Sequence, residues 1–546
     1  MNQLLIATIA LPLLGAVGLA AFAKSGREVI RAAALVVTLA VLLLAGRLVL
    51  NYTTGADEAG NFAVSDLQWG AGALNVKLSL GLDGLGVWLF GLSALLMVTA
   101  VLVSWEAIKE SPALFYGMLL LLEFGCLGVF SARDLILFYI FFEFTLIPLV
   151  FLIGIWGSEQ RRYAAIKFFL FTFAGSMLTF LALLTIVLWD RQHNTGGAFR
   201  FGIAELTAGL RDHPMPLWLQ SLVFGGLFAG FAIKVPLFPL HTWLPLAHVQ
   251  APTAGSVILA GVLLKMGVYG FLRFNVPMLP EATVQWAPAL LGLSAAGIVY
   301  GALVALAQGD IKKLIAYSSV SHLGYCTLGL FALNAAGVQG SVLQMINHGI
   351  STGGLFALVG MLYERFHTRE IAKFGGLTRP LPIMAFFFVV FTFSSIGLPG
   401  LNGFPGEFLI LLGMFQRAFG GTEAADPWLR GVALVSLTGV ILGAWYMLHL
   451  VRRVFYGPVK EPQEDGHAHA VHDLSLREIA ALTPLVIVAL WIGLFPGMFL
   501  KPMEKTLTTL VAPTEAPLKE KLQSREKVAG AEPAAISAPA LAAAKD

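Results

Sequence analysis

Apolar residues in this chain come in long runs, and about 14 of the runs approach the ~20 residues a helix needs to cross a bilayer. They lie near 4–22, 30–50, 82–104, 112–130, 134–155, 165–189, 219–244, 251–273, 286–308, 314–332, 341–363, 383–416, 430–450 and 479–500. The pattern predicts an all-α polytopic membrane protein with about 14 transmembrane helices. Two runs are broken by proline and glycine. One carries Lys234, Pro236 and Pro239, and the other runs from Gly397 through Pro399, Gly400, Gly403 and Pro405 to Glu407. Paired broken helices at matching places in two halves predict two inverted five-helix repeats, each with its ion site at the break. On this reading 1–110 holds helices 1–3, 111–275 the first repeat (helices 4–8) and 276–452 the second (helices 9–13). A cytoplasmic loop and helix 14 fill 453–500, and a polar Ala/Pro-rich tail fills 501–546.

Composition agrees with a membrane location. The chain is 57% hydrophobic and 12% charged, about half the charged share of a soluble domain, with a mean hydropathy of +0.80. A net charge of +3 spread over short loops excludes a nucleic-acid binder, which needs a basic cluster on a soluble face. Cys126 and Cys326 stand far apart inside apolar runs, so they read as small core residues and neither a disulfide framework nor a redox pair. The first run has no positive charge before it, while Lys24, Arg27 and Arg31 follow. It therefore reads as a retained span with its N-terminus outside, not a signal peptide. Loops assigned to the cytoplasm on that basis hold about twice the basic residues of the opposite loops. An even span count puts the C-terminus outside as well.

Two segments follow from local chemistry. Pro513, Pro517, Pro533 and Pro539 interrupt the Ala/Lys/Glu-rich stretch after Val511, which predicts a mostly extended or disordered tail. His467, His469 and His472 lie in a polar loop without the spacing of a structural zinc site, and Ser475 with Glu478 spells a capping box for the last helix.

Ionisable groups inside apolar runs carry the chemistry. A lysine at mid-span costs at least ~2.5–3.5 kcal/mol, and Lys234 is accompanied by Glu123, Glu143, Lys265, His322, His348, Glu407 and His449. Such a set points to ion or proton chemistry within the membrane. Glu143 and Lys234 are the expected ion pair, a switch because approach favours both charges and separation favours both neutral forms. Lys265 lies two turns, roughly 12 Å, from the nearer span end, too deep for its side chain to reach the interface. His322 and His348 are stepping stones from Lys265 to Glu407, with Tyr317, Ser318 and Thr352 as bridging hydroxyls. His241 and His248 flank Trp243 near the cytoplasmic end of the seventh span and are candidates to admit protons, while Glu123 and His449 are accessory. No dinucleotide fingerprint, phosphate loop, HExxH or cysteine cluster is present, so no redox centre is expected on this chain.

FYIFFEFTLIP around Glu143, AIKVPLFPLHTWLPLAHVQAPTAGSVILAGVLLKMGVYGFLR from Ala232, GDIKKLIAYSSVSHLGY from Gly309 and GLPGLNGFPGEF ending at Phe408 resemble the antiporter-like subunits of proton-pumping NADH–quinone oxidoreductase, respiratory complex I. Glu407, where sister subunits L and N have lysine, resembles subunit M. The resemblance implies two inverted five-helix repeats and a proton-translocating role, with Glu143 and Lys234 as the ion pair, Lys265, His322 and His348 as the relay, and Glu407 as the outward proton site. It implies no cofactor and no metal on this chain, with FMN, iron–sulfur clusters and quinone in partner subunits. It also implies membrane-arm partners, especially L and N, and a bacterial inner-membrane location. The alternatives are a subunit of a multi-subunit sodium/proton antiporter, a component of a membrane-bound hydrogenase-type complex, and a scaffold whose charges only hold helices together.

Overall fold

The computed structural model describes residues 1–68, 77–194, 196–420, 426–462 and 472–530, most of them helical. Twelve helices among the described residues are long and apolar enough to cross a membrane. The other two expected spans are the helix Ile311–Phe331, which opens on Lys312 and Lys313, and the short helices Pro382–Ser395 and Gly403–Phe419 on either side of the second break.

Burial sorts these helices into layers. Thr253–Met278 and Ala335–Phe366 are buried on all sides, whereas Arg27–Gly55 shows most of its surface, including Val36, Leu43 and Leu50. Apolar side chains on the outside of a bundle face lipid, so the two buried helices form its centre. Small residues let the neighbouring helices approach. A Cβ on Gly230 would collide with Thr179 Oγ1 and meet the Gly175 carbonyl at 2.8 Å, so the helix Leu217–Lys234 lies tight against Arg161–His193.

The first break follows the sequence closely. Leu217–Lys234 ends on Lys234 itself and the chain resumes as helix at Trp243. Proline at 236 and 239 supplies no amide to continue the ladder, and the Trp243 indole N–H donates to the freed Ile233 carbonyl at 3.0 Å. At the second break Gly397 and Gly400 adopt φ of +73° and +92°, a region in which glycine carries no steric penalty. The Asn402 amide then donates to the Asn347 carbonyl at 3.1 Å, tying the break to the central helix Ala335–Phe366.

Three features depart from the expectations. Phe62–Gln68 and Lys77–Leu82 pair as an antiparallel hairpin, a strand element hidden among the helical runs. Helix Thr253–Met278 contains two π-helical stretches, Leu259–Leu263 and Phe271–Asn275. The tail is a correction, because Gly497–Val511 and Glu515–Gly530 are helical. Pro517 lies in the first turn of the second helix, where its missing N–H costs nothing, and the next proline is Pro533. Lys521 Nζ donates to the Val284 carbonyl at 2.8 Å and holds that helix against Pro280–Leu306. The remainder of the tail, 531–546, and His467 and His469 lie outside the described residues.

The capping box at Ser475 and Glu478 forms as expected. Arg365 also grips Glu478 with two hydrogen bonds of 2.8 Å, clamping the last span to the central helix. Glu478→Gln removes the charge and one acceptor from a buried site. A loss of about 1–3 kcal/mol is expected, read as a lower unfolding temperature of the purified protein in detergent.

Candidate functional site

The buried ionisable groups converge at the bundle centre, beginning at the second break. Glu407 stands in the second turn of Gly403–Phe419 and is 7% exposed. Its Oε1 accepts from Gln344 Nε2 at 3.0 Å and lies 3.3 Å from His322 Nδ1, an ion-pair distance once the imidazole is protonated. The other ring nitrogen of His322 lies 3.1 Å from Ser395 Oγ and 3.3 Å from the Tyr446 hydroxyl. Both hydroxyls donate or accept, so either tautomer of His322 is satisfied there.

His348 comes next, with its ring centroid 5.7 Å from that of His322. Its Nδ1 is 2.7 Å from Lys265 Nζ, and its Nε2 is buried with no hydrogen-bond partner in the protein. Lys265 is fully buried. Its ammonium donates to the Ala260 carbonyl, within the first π-helical stretch. A widened π turn commonly marks a functional position, and here it offers the cation a carbonyl one turn back along its own helix. Four ionisable groups from four helices thus form one series: Lys265, His348, His322 and Glu407.

The first break carries a second group. Lys234 is buried, and its Nζ lies 4.5 Å from the centroid of the Phe142 ring. Glu143, next to Phe142 on the helix Leu135–Phe144, is half-buried. The two charges are within electrostatic reach, yet the expected contact ion pair is not formed, because the ammonium rests on the ring instead.

The accessory residues divide. His248 is fully buried, stacked on Phe356 at 4.5 Å, with both ring nitrogens unpartnered. It lies within electrostatic reach of Lys265 and Lys312. His241 is buried beside Tyr300 at 5.0 Å and Tyr317 at 6.3 Å. Glu123 is fully buried with neither carboxylate oxygen partnered and does not join the Lys265–Glu407 series. His449 is half-buried, near Arg452 and Arg453, and stands apart from it too. Of the bridging hydroxyls, Ser318 bonds the Ile315 carbonyl and Thr352 is buried without a partner.

Sequence reasoning passed over Gln344, Ser395, Tyr446, Phe142 and Lys312. Lys312, beside Lys313 at a helix start, has the look of an exposed end charge, yet it is buried and donates to the Ala251 carbonyl at 2.7 Å. It lines a cavity of about 440 Å³ with Glu106, Glu364 and His367. Gln344 carried a signal, since an amide amid the apolar run of a central helix needs a buried partner.

Broken helices, a polytopic bundle and a line of buried titratable groups define the class: a membrane protein of the antiporter-like type. The family model for NADH:quinone oxidoreductase/Mrp antiporter transmembrane segments matches residues 132–420. NADH-quinone oxidoreductase subunit M of Rhodobacter capsulatus is 42% identical over 532 residues, 95% of this chain and 96% of its own length. A chain of respiratory complex I from Thermus thermophilus superposes with a TM-score of 0.80 at 34% identity, covering 93% of this chain and 99% of that one. A chain of the Mrp complex of a Dietzia species shares the fold at a TM-score of 0.77 and 19% identity, over 95% of this chain and 99% of that one. The chain belongs to this family, in its NADH-quinone oxidoreductase subunit M branch.

Gln344→Met keeps the length of the side chain and removes the donor to Glu407. Leaving a buried carboxylate short of a hydrogen bond costs about 1–3 kcal/mol. The variant is expected to assemble and to pump more slowly, while Gln344→Glu, which sets a second acid beside Glu407, is expected to be worse. Both are read as proton uptake into vesicles during NADH oxidation.

Proposed function

We propose that this chain is a proton-translocating membrane-arm subunit of NADH–quinone oxidoreductase, driven by quinone reduction in other subunits. The carrying observation is the series Lys265–His348–His322–Glu407, in which adjacent groups are 2.7 Å, 5.7 Å between ring centroids, and 3.3 Å apart. Lys234 and Glu143 act as the switch of the first half, exchanging a paired, charged state for a separated one. A proton reaching Lys265 passes to His348, then His322, and leaves from Glu407 beside the unwound break. His248 is the feeding group, being within electrostatic reach of both Lys312, which lines the polar cavity, and Lys265. Membership in the subunit M family supports this reading over a scaffold, and Glu407 in place of a lysine supports it over a sodium/proton antiporter.

On this reading the five-helix repeats occupy 111–275 and 276–452, with one break in each. Flavin, iron–sulfur clusters and quinone belong to partner subunits, L- and N-type subunits are the neighbours, and the complex sits in a bacterial inner membrane with both termini of this chain outside.

Lys234→Ala and Glu143→Ala test the switch. Removing a positioned proton carrier costs roughly 10²–10⁴ in the rate of its step, so each variant is expected to assemble and to lose most of its protons pumped per NADH oxidised. Normal stoichiometry in both would make the pair structural. Glu407→Gln is expected to assemble with strongly reduced pumping and Glu407→Lys to pump better than Gln, since lysine also loads and releases a proton. Pumping by Gln at the wild-type rate would remove Glu407 from the path.

Topology has a separate test. With Cys126 and Cys326 replaced, a cysteine at Ser537 is expected to react with an impermeant thiol reagent in intact cells. Labelling only after the membrane is opened would place the tail in the cytoplasm.

A further inference from the structure

The ring of Phe142 holds Lys234 in an arrangement that the proton path alone does not require. Lys234 Nζ sits 4.5 Å from the ring centroid, and Phe142 itself is 2% exposed. The ring is fixed by its surroundings. Phe138 stacks on it at 5.6 Å with 25° between planes, and Phe231, three residues before Lys234, meets it edge-on at 6.1 Å and 87°. Phe274 packs against both of those rings, at 4.6 Å and 6.1 Å. Behind Phe142 the helix ends at Phe144, and Thr145 Oγ1 donates back to the Phe142 carbonyl at 2.8 Å. The flexible partner is therefore the lysine, whose four-carbon stem swings while the ring stays still.

Neighbouring residues on a helix point roughly 100° apart, so the Phe142 face and the Glu143 carboxylate lie on different sides of Leu135–Phe144. One ammonium cannot occupy both. An aromatic face attracts a desolvated cation through its quadrupole more strongly than it does one in water, and no water-exposed alternative is open to a lysine this deeply buried. Cys126 and Glu143 are the titratable groups within electrostatic reach of the ammonium, and neither is bonded to it.

We propose that Phe142 is a positioning residue for Lys234: its ring face is a second station for the ammonium, in competition with the Glu143 carboxylate. The station keeps the charged lysine bound when the pair opens, so the opened state holds a proton ready for the next group instead of losing the charge. Lys234 then alternates between two defined sites, carboxylate and ring. This rests on the reading of Lys234 as a proton carrier.

The test compares Phe142→Leu, Phe142→Tyr and Phe142→Trp in membrane vesicles containing the whole complex, scored as protons pumped per NADH oxidised. Tyrosine and tryptophan keep an aromatic face and are expected to pump near the wild-type level. Leucine keeps the apolar character, loses the face, and is expected to lower the stoichiometry attributable to this subunit roughly tenfold. A purely structural role predicts the opposite order, because tryptophan overfills a tight ring cluster; Trp below Leu would overturn the proposal, as would Leu at the wild-type level. Pentafluorophenylalanine at 142 preserves shape while reversing the polarity of the face, so it decides the matter even if Leu fails to assemble. The leucine-like loss supports the station, and wild-type pumping removes it. Lys234→Ala in the same vesicles separates the two claims: normal pumping there sinks the carrier reading itself, whereas loss there with a silent Phe142 series sinks only the station.

Discussion

A charge taken into hydrocarbon has to be met by something, and at mid-span the shortfall is at least ~2.5–3.5 kcal/mol for each group. That constraint organises the centre of this protein. Lys265 is met by a carbonyl of its own helix and by His348, Glu407 by Gln344 and His322, and Lys234 by an aromatic face. No group in the series is held by a permanent opposite charge. Their partners are neutral or titratable groups, so a proton can move from one to the next without breaking a strong ion pair. Structural clamps elsewhere are built differently: Arg365 on Glu478 and Arg273 on Asp83, at 2.6 Å, are close ion pairs between groups that stay charged.

The broken helices serve the same end. Both interruptions free backbone groups in the bilayer, and both breaks are sealed by protein. The Trp243 indole takes the Ile233 carbonyl; at the second break the Leu398 amide takes the Phe393 carbonyl, while the Asn402 side chain ties the turn to the central helix. Irregular backbone at membrane depth is tolerated only where such partners or water are at hand. It places Lys234 at the end of one helix and Glu407 near the start of another, both buried. The two all-buried helices, Thr253–Met278 and Ala335–Phe366, bring Lys265 and His348 together between the breaks.

Much of this was legible in the sequence, because its physical cause is local. Run length specifies spans, proline and glycine specify the breaks, and an ionisable residue in an apolar run is conspicuous by its cost, so Lys265, His322, His348 and Glu407 stand out. Their order does not, since the sequence suggests a path through His322 and then His348, whereas His348 is the one that touches Lys265 and His322 the one beside Glu407. The misses have non-local causes. Whether Lys234 meets Glu143 or Phe142 depends on how two helices dock, to within a few ångströms, and no spacing rule carries that. The antiparallel pairing of Phe62–Gln68 with Lys77–Leu82 is a contact between two separate segments, and Lys312 reads as an interfacial charge until the fold covers it. Four prolines predict a broken tail, yet the helix Glu515–Gly530 forms because the one at 517 falls in its first turn and the next is Pro533.

The central claim is that a proton passes through His322 to Glu407. Infrared difference spectroscopy of the complex during turnover tests it directly, because a carboxyl group gaining or losing its proton shows a C=O band that Glu407→Gln would remove. The account predicts that this Glu407 band is present in the wild type and disappears in His322→Leu, where Glu407 is intact but cut off from its donor. A Glu407 band of full size in His322→Leu would contradict the account and require a route to Glu407 that bypasses the histidines.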